Sequence, residues 1–455
     1  MIAVVTPDEM AAIDAAASES VDVLIERAGA AVARTARSML GGTYGRVVNV
    51  VAGKGNNGND GRVAARRLAE DGMAVRTFDA ADGPSHLPPS DLVIDAAYGT
   101  GFRLRLGGDW IAPDVAGARV LAVDIPSGVD GLTGVASGSP LAAERTITFA
   151  ALKPGLLYGD GCRLAGDVVV ADIGLDASRA TAHVVEAADV AGWWRPRERD
   201  DHKWRRAVRV IAGSPGMTGA AELCSAAAMR AGAGIVWLSS PGAGAATGIT
   251  EVVGRDLPAS GWASPMLDGL ERFGALVVGP GLGRAATTAS DVTELIATTD
   301  VAALVDGDGL IALATSPGGR DAVRSRRGPV VLTPHDGEYR ALTGSAPGAD
   351  RIDATRRLAA DWSCVALLKG SPTTVARPDG HAFVVTEGDS RLATAGTGDV
   401  LSGVIGALLA SGVVAADAAA AGAWIHGAAG RRLPAVGLIA SDLIAAIPAV
   451  LGDLT

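Results

Sequence analysis

The residues of this chain able to do chemistry gather at glycine-rich turns that follow short apolar runs. After Val47–Val51 comes Gly53-Lys54-Gly55-Asn56-Asn57-Gly58-Asn59-Asp60-Gly61. This block contains a GxGxxG spacing, and Asp79 follows at about the distance of a dinucleotide fold, but a lone match of that kind is weak. The Asn-Asn-Gly-Asn-Asp core is sharper. Four polar side chains crowd a turn where a plain pyrophosphate loop keeps small residues, so side chains as well as amides should face a ligand. The plain alternative is an Asn/Gly-rich turn capping a helix. Two more apolar runs end in Asp95-Ala96-Ala97-Tyr98-Gly99-Thr100-Gly101-Phe102 and Asp124-Ile125-Pro126-Ser127-Gly128-Val129-Asp130-Gly131. Ligands of open parallel sheets gather at such strand ends, and Asn, Asp and Ser oxygens together suit a hard cation. Taken singly, each Asp reads equally well as a helix cap or a loop acid.

The second half repeats the habit with other residues. Val210-Ile211-Ala212-Gly213-Ser214-Pro215-Gly216-Met217-Thr218-Gly219-Ala220-Ala221 is a strand, a glycine loop and the start of a small-residue helix. Further strand ends carry Gly279-Pro280-Gly281-Leu282-Gly283, Asp306-Gly307-Asp308-Gly309, Thr333-Pro334-His335-Asp336-Gly337-Glu338 and Lys369-Gly370-Ser371-Pro372-Thr373. Ala393-Thr394-Ala395-Gly396-Thr397-Gly398-Asp399 opens a long apolar helix. Glycines at a helix N-terminus expose backbone N–H groups to a phosphate, and the helix dipole favours its charge. Asp399 there is the natural general base for a phosphoryl transfer; the alternative is a simple N-cap aspartate. His335 could equally be a satisfied loop histidine, and His426, inside an apolar helix, reads as structural.

The elements that must position these residues are those of an α/β protein. Thr6-Pro7-Asp8-Glu9 has the form of a capping box with proline at the first helical position, and an Ala-rich helical region should follow to about Ser38. Val47–Val51, Leu92–Ile94, Val120–Val123 and Thr146–Phe149 read as buried strands, with helices such as Arg62–Glu70 between them. Near-continuous hydrophobic strands separated by helices mean a mostly parallel sheet covered on both faces. The charged, aperiodic stretch 191–206 reads as a linker between domains 1–190 and 207–455. Beyond it Val208–Ala212, Ile235–Leu238, Ala275–Val278, Ala302–Val305, Val330–Leu332 and Val365–Leu368 restart the alternation.

The bulk numbers agree. A chain of 455 residues makes two or three domains at roughly 100–200 residues each. A net charge of −10 with no offsetting basic run argues against nucleic-acid or membrane-surface partners. Three cysteines, Cys162, Cys224 and Cys364, lie far apart without a CxxC pair, which points to reduced thiols in a cytosol. No signal-like segment opens the chain. The uncharged stretch Val400–Ala416 is bracketed by Asp399 and Asp417 and is expected to be a buried helix, not a membrane span. A cytoplasmic location is expected.

GNNGNDG, DAAYGTGF, VDIPSGVDG and Phe149-Ala150-Ala151-Leu152-Lys153-Pro154-Gly155 resemble the NAD(P)H-hydrate epimerase family across most of residues 1–180. The resemblance implies a Rossmann-like three-layer domain. In it Asn57, Asp95 and Ser127 would bind potassium, while Asn56, Asn57, Gly58, Asn59, Asp60, Gly99, Thr100, Gly101, Phe102, Arg103, Leu104, Arg105 and Asp124 would contact the substrate. Inversion at the hydroxyl-bearing C6 of a hydrated nicotinamide needs a proton donor and acceptor, and the candidates are Asp124 and Lys153; a solvated surface lysine is the alternative for the latter. The chain departs from the family at Asn59, where glycine is usual, so an added Cβ could narrow the loop or demand another backbone angle.

GSPGMTGAA, GPGLG, TPHDGE, LKGSPT and ATAGTGDVLSG, in order across residues 202–430, resemble the ADP-dependent NAD(P)H-hydrate dehydratase family of the ribokinase-like fold. The resemblance implies that Lys369, Gly370, Ser371, Pro372, Thr373 and Gly398 bind the adenine nucleotide. It also implies that Ala220, Gly281, Gly283, His335 and Asp399 face the hydrated substrate, and that Asp399 deprotonates its hydroxyl. Here the departure is His202-Lys203-Trp204-Arg205-Arg206-Ala207, glycine-free and short. Together the halves imply repair of NADHX and NADPHX, with potassium in the first domain, ADP as co-substrate and Mg2+ on its phosphates in the second. A homo-oligomer is expected. The competing reading is a ribokinase-like small-molecule kinase with a non-catalytic N-terminal nucleotide-binding module, which a stable phosphorylated product would establish.

Overall fold

The computed structural model describes residues 1–102 and 109–455. They fall into two compact units, one of residues 2–182 and one of residues 183–455 joined by Met1.

The first unit holds a six-stranded parallel sheet. Its order is Ala74–Asp79, Val47–Ala52, Leu92–Ala96, Arg119–Val123, Arg145–Phe149 and Asp167–Ala171. The three central strands are buried almost throughout, the pattern of strands covered on both faces. Asp167–Ala171 was not expected, although Val168–Ala171 is a short apolar run; it is an edge strand with two of its five residues exposed and none fully buried.

The capping box forms as the sequence requires, with Glu9 N–H donating to Thr6 Oγ1 (3.2 Å) and Thr6 N–H to Glu9 Oε2 (2.7 Å). The expected helical run to Ser38 is, however, two helices, Pro7–Ala15 and Val21–Leu40. Five residues, 16–20, separate them, and Ser20 is extended (φ −70°, ψ 153°). Ser20 starts the second helix as its N-cap by backbone conformation, without a side-chain cap hydrogen bond. Helix Val21–Leu40 buries Ala28, Ala31, Val32 and Ala36 on helix Asn56–Glu70 and the sheet. Small residues on that face let the two backbones approach: a Cβ at Gly29 would meet Val63 at 2.4 Å.

In the second unit a nine-strand run of sheet has the order Val253–Gly254, Ile235–Ser239, Ala207–Ile211, Ala275–Val278, Ala303–Val305, Val330–Leu332, Val365–Leu368, Thr373–Ala376 and Ala382–Val385. The first seven are mutually parallel and the last two form an antiparallel hairpin. The hairpin went unread in the sequence. Helices Thr218–Arg230, Thr397–Ala410 and Ala415–Arg431 cover one face with alanine-rich surfaces.

The stretch Val400–Ala416 is not one helix. Thr397–Ala410 ends in a left-handed Gly412 (φ 82°), Val413 N–H returns to the Leu408 carbonyl at 3.3 Å, and a new helix starts at Ala415. That return bond and the left-handed glycine satisfy carbonyls the helix end leaves open. Among the described residues no helix is long and apolar enough to cross a membrane. The segment expected as linker, 191–206, begins inside a helix, Ala187–Trp193, and ends in a 3-10 turn at Lys203–Arg206. The glycine-free turn is well packed, since Trp204 meets Trp237 and Phe273 edge-on and Arg206 donates to the carbonyls of Arg195 and Pro196.

Candidate active sites

In the first unit the loops 53–60, 95–102 and 124–131 leave the carboxyl ends of adjacent parallel strands and so reach the same rim. They border a cavity of about 500 Å³. Asp124 sits just past its strand at φ 68°, a conformation that a non-glycine residue keeps only when its surroundings fix it. Those surroundings are specific. Thr100 N–H donates to Asp124 Oδ2 (2.9 Å) and the Thr148 hydroxyl to Oδ1 (3.1 Å), while Lys153 Nζ stands 2.8 Å from Oδ1. Lys153 also donates to Thr148 Oγ1 (2.8 Å) and the Phe149 carbonyl (3.0 Å). Burial would raise the pKa of Asp124, but the lysine charge and the hydrogen bonds outweigh it and hold the carboxyl below its usual value. With its side chain only 1% exposed, Lys153 is not a solvated surface lysine.

A second acid faces the same cavity. Burial, helped by the charges of Asp124 and Asp14, pushes Asp60 up to about 8. Asp14, from helix Pro7–Ala15, is itself raised by burial and lines the cavity beside apolar residues such as Met10, Leu24 and Ile25. The sequence reading missed this helical wall, because residues from a distant helix carry no loop signature.

Asn56, Asn57, Asp60, Gly99, Thr100, Gly101, Phe102 and Asp124 line the cavity, whereas Gly58 and Asn59 do not. Gly58 has a packing role: a Cβ there would lie 1.9 Å from the Gly53 carbonyl oxygen. Asn59 lies inside helix Asn56–Glu70 with its amide oxygen 3.4 Å from Arg62 Nη1, so its Cβ neither narrows the cavity nor needs an unusual backbone angle. Arg103, Leu104 and Arg105 lie outside the described residues. Asp79 accepts from Ala81 N–H (2.8 Å) in a turn away from the cavity.

Beside the acids, Ser127 Oγ donates to Asp95 Oδ1 (2.6 Å) and Ser127 N–H to Oδ2 (3.0 Å). Asp95 is fully buried, which raises its pKa against these hydrogen bonds. Both amide atoms of Asn57 are buried and without a hydrogen-bond partner. Orphaned buried polar atoms call for a partner.

In the second unit a cavity of about 610 Å³ is bordered by His335, Lys369, Gly370, Ser371, Thr373 and Gly398. Pro372, Ala220, Gly281, Gly283 and Asp399 are not on its wall. Ala220 and Asp399 lie in the first turns of helices Thr218–Arg230 and Thr397–Ala410, and the loop with Gly281 and Gly283 is tied to its neighbours: Gly213 N–H donates to the Pro280 carbonyl (2.7 Å), Ser214 Oγ to that of Gly281 (2.9 Å), and Gly283 N–H to Asp308 Oδ2 (2.9 Å). A Cβ at Gly281 (φ 63°) would touch Ala220 at 3.0 Å. His335 caps helix Asp336–Thr343, its Nδ1 accepting from Gly337 N–H (3.0 Å) and Glu338 N–H (3.3 Å). Nε2 is therefore the nitrogen that carries the proton, and the ring stays 61% exposed.

Gly396, not Asp399, is the N-cap of helix Thr397–Ala410, so Asp399 stands inside the first turn. Burial, then the nearby charge of Asp306, pushes its pKa up to about 7 despite Lys369. Lys369 Nζ contacts Asp306 Oδ1 at 2.5 Å. The sequence reading passed over Arg351, gave Asp306 no role beyond its strand-end motif and read His426 as structural. Arg351 lines the cavity, donating to the Lys369 carbonyl (2.7 Å) and pairing with Asp336 (2.9 Å). His426 also lines it; its ring is buried, which lowers its pKa to about 4, and its Nε2 has no partner.

Residues 208–449 match the family described as NAD(P)H-hydrate dehydratase, and residues 21–85 and 76–155 match the YjeF-related protein N-terminus. The chain is 36% identical over 99% of its length, and 97% of the relative's, to the bifunctional NAD(P)H-hydrate repair enzyme Nnr of Moorella thermoacetica. The chain belongs to the bifunctional NAD(P)H-hydrate repair enzyme family. Among solved structures, an ADP/ATP-dependent NAD(P)H-hydrate dehydratase of Bacillus subtilis, co-crystallised with ATP and Mg2+, is 28% identical and covers 60% of this chain and 98% of its own, with a TM-score of 0.52. A ribokinase-like superfamily protein of Enterococcus faecalis (20% identical, 60% and 97% covered, TM-score 0.51) shares the fold. As a member of the repair family, the chain thus has a parallel α/β N-terminal domain and a ribokinase-like C-terminal domain.

Proposed function

We propose that the chain returns NADHX and NADPHX to NADH and NADPH. The first unit interconverts the R and S hydrates, and the second dehydrates the S form at the expense of ADP. The observation that supports this most is that one chain carries both a buried carboxylate–ammonium pair on a nucleotide-sized cavity and a separate phosphate-loop site with a carboxyl poised near neutrality.

In the first site Asp124 and Lys153 are the proton acceptor and donor at C6, with Asn56, Asn57, Asp60 and the loop from Gly99 holding the nucleotide. Asn57, Asp95 and Ser127 offer the oxygen donors that potassium prefers, and the orphaned Asn57 amide fits such a role. When bound, the ion would supply positive charge within the site.

In the second site Lys369 to Thr373 and Gly398 hold the nucleotide, with Mg2+ taken up on its phosphates. Ala220, Gly281, Gly283 and His335 receive the hydrated ring. Asp399 takes the proton of the C6 hydroxyl, whose oxygen then accepts the β-phosphoryl group of ADP and releases AMP. Loss of phosphate from C6 and of a proton from C5 restores the 5,6 double bond. The protonation equilibrium of Asp399 suits a base working near neutral pH.

The test is recovery of the reduced-nicotinamide absorbance from an R/S hydrate mixture, with and without ADP, Mg2+ and potassium. Recovery beyond the S fraction that requires ADP is expected. Recovery that stops at the S fraction would remove the epimerase half, and a stable phosphorylated product would replace the dehydratase with a kinase.

A further inference from the structure

We propose that Asp306 is the positioning residue of the dehydratase site, fastening the nucleotide lysine to the helix that carries the base. The inference rests on the dehydratase reading above, and it assigns a role to a carboxylate that the family motifs leave unassigned.

Asp306 follows strand Ala303–Val305 and is 2% exposed. Its two oxygens are divided between two elements. Oδ1 takes the Lys369 ammonium at 2.5 Å, at the end of strand Val365–Leu368, and Oδ2 takes the Ser402 hydroxyl at 2.7 Å, from helix Thr397–Ala410. Ser402 lies three residues beyond Asp399, and residues so spaced share a helix face. One buried carboxylate therefore sets both the phosphate-loop lysine and the face of the helix bearing Asp399. The room between them is small: a Cβ on Gly398 would stand 3.3 Å from Lys369 Nζ and 3.8 Å from Asp306 Oδ2. The backbone of Asp306 is fixed as well, since its N–H donates to the Val278 carbonyl (3.0 Å) and its own carbonyl receives Gly309 N–H (3.0 Å). A Cβ at Gly279 would lie 1.8 Å from that carbonyl oxygen. Charged groups held this rigidly cost little reorganisation when the reaction develops charge.

The charges facing Asp399 are Asp306, Lys369, Asp308 and Glu338, with the Cys224 thiol, raised by its burial, also near Asp399 and Asp306. Asp306 is the first charge among these and acts to raise Asp399, whereas Lys369 acts to lower it. Removing the Asp306 charge withdraws the first effect and leaves the lysine uncompensated. Both changes make Asp399 more acidic.

Asp306→Asn keeps the shape and removes the charge, while Asp306→Glu keeps the charge and displaces it. In the full-length enzyme, Asp306→Asn is expected to move the acid limb of the kcat profile down by about one pH unit and to raise KM for ADP about tenfold. Asp306→Glu should leave the limb in place and lower kcat/KM by on the order of a hundredfold through misplacement. An Asp306→Asn enzyme with the parental limb and parental KM overturns the proposal. If that variant does not fold, Ser402→Ala serves, with KM for ADP raised about threefold and the limb unmoved; a parental KM there overturns it equally. Calorimetric titration with ADP alone separates this proposal from the activity it rests on. An inactive parent enzyme would sink the dehydratase reading, yet weakened ADP binding by Asp306→Asn would still support the fastening of Lys369, and unchanged binding would refute it.

Discussion

Lys153 Nζ and Asp124 Oδ1 lie 2.8 Å apart with the lysine side chain 1% and the aspartate side chain 12% exposed, on a backbone held left-handed at the aspartate. A buried pair of this kind depends on both members, because either one alone is an uncompensated charge in a poor dielectric. Lys153→Met should therefore destabilise the first unit by about 3–5 kcal/mol and abolish epimerisation. Recovery from an R/S mixture should stop at the S fraction while ADP-dependent turnover of S hydrate stays parental. Epimerisation at the parental rate in a folded Lys153→Met protein would refute the assignment.

Asn57 offers a buried amide with no partner of its own. Asn57→Ala removes that oxygen without touching Asp124, so potassium stimulation of epimerisation is expected to vanish. A potassium titration of the variant that still saturates like the parent's would show the ion sits elsewhere.

The Asp399 carboxyl, pushed up to about 7 by burial and by Asp306, could take the proposed base role only when ionised. Dehydratase kcat should therefore fall as pH drops below about 7 and level off above it. The same shift has a stability sign. Because the folded value exceeds the ordinary 3.8, the contribution of Asp399 to the ligand-free fold is fully present below 3.8 and lost as pH rises through about 7. A kcat profile flat from pH 5 to 8 would count against Asp399 as the base.

Gly58 meets the Gly53 carbonyl so closely that a Cβ would lie 1.9 Å from its oxygen. Gly58→Ala must push the helix start off the loop, at a cost of about 1–3 kcal/mol, measurable by thermal unfolding. Gly55→Ala, where nothing lies within 4 Å, is the comparison and should cost less, losing only an N-cap glycine and no packing.

Much of the architecture could be read along the chain. The buried strands Val47–Ala52, Leu92–Ala96 and Ala275–Val278 announce themselves as unbroken apolar runs, and the loops after them carry the polar residues. Asp167–Ala171 at one sheet edge and the hairpin Thr373–Ala376 with Ala382–Val385 went unread although DVVVA and AFVV are apolar, because runs this short do not by themselves tell a strand from a loop or helix segment. The break at residues 16–20 and the left-handed glycine stop at Gly412 turned expected single helices into pairs.

By itself the sequence determined which residue types stand at which strand ends, since motif and spacing are properties of the chain: Asn57, Asp95, Asp124 and Lys153 in one half, Lys369 and Asp399 in the other. Tertiary structure alone decided what those groups are electrostatically. It buried Lys153 against Asp124, brought Asp14 from an N-terminal helix to the same cavity as Asp60, and set Asp306 between Lys369 and Ser402 across a separation of 63 and 96 residues. Charge and proton affinity depend on burial and on neighbours a few ångströms away, and no local pattern records which distant residues folding will make neighbours.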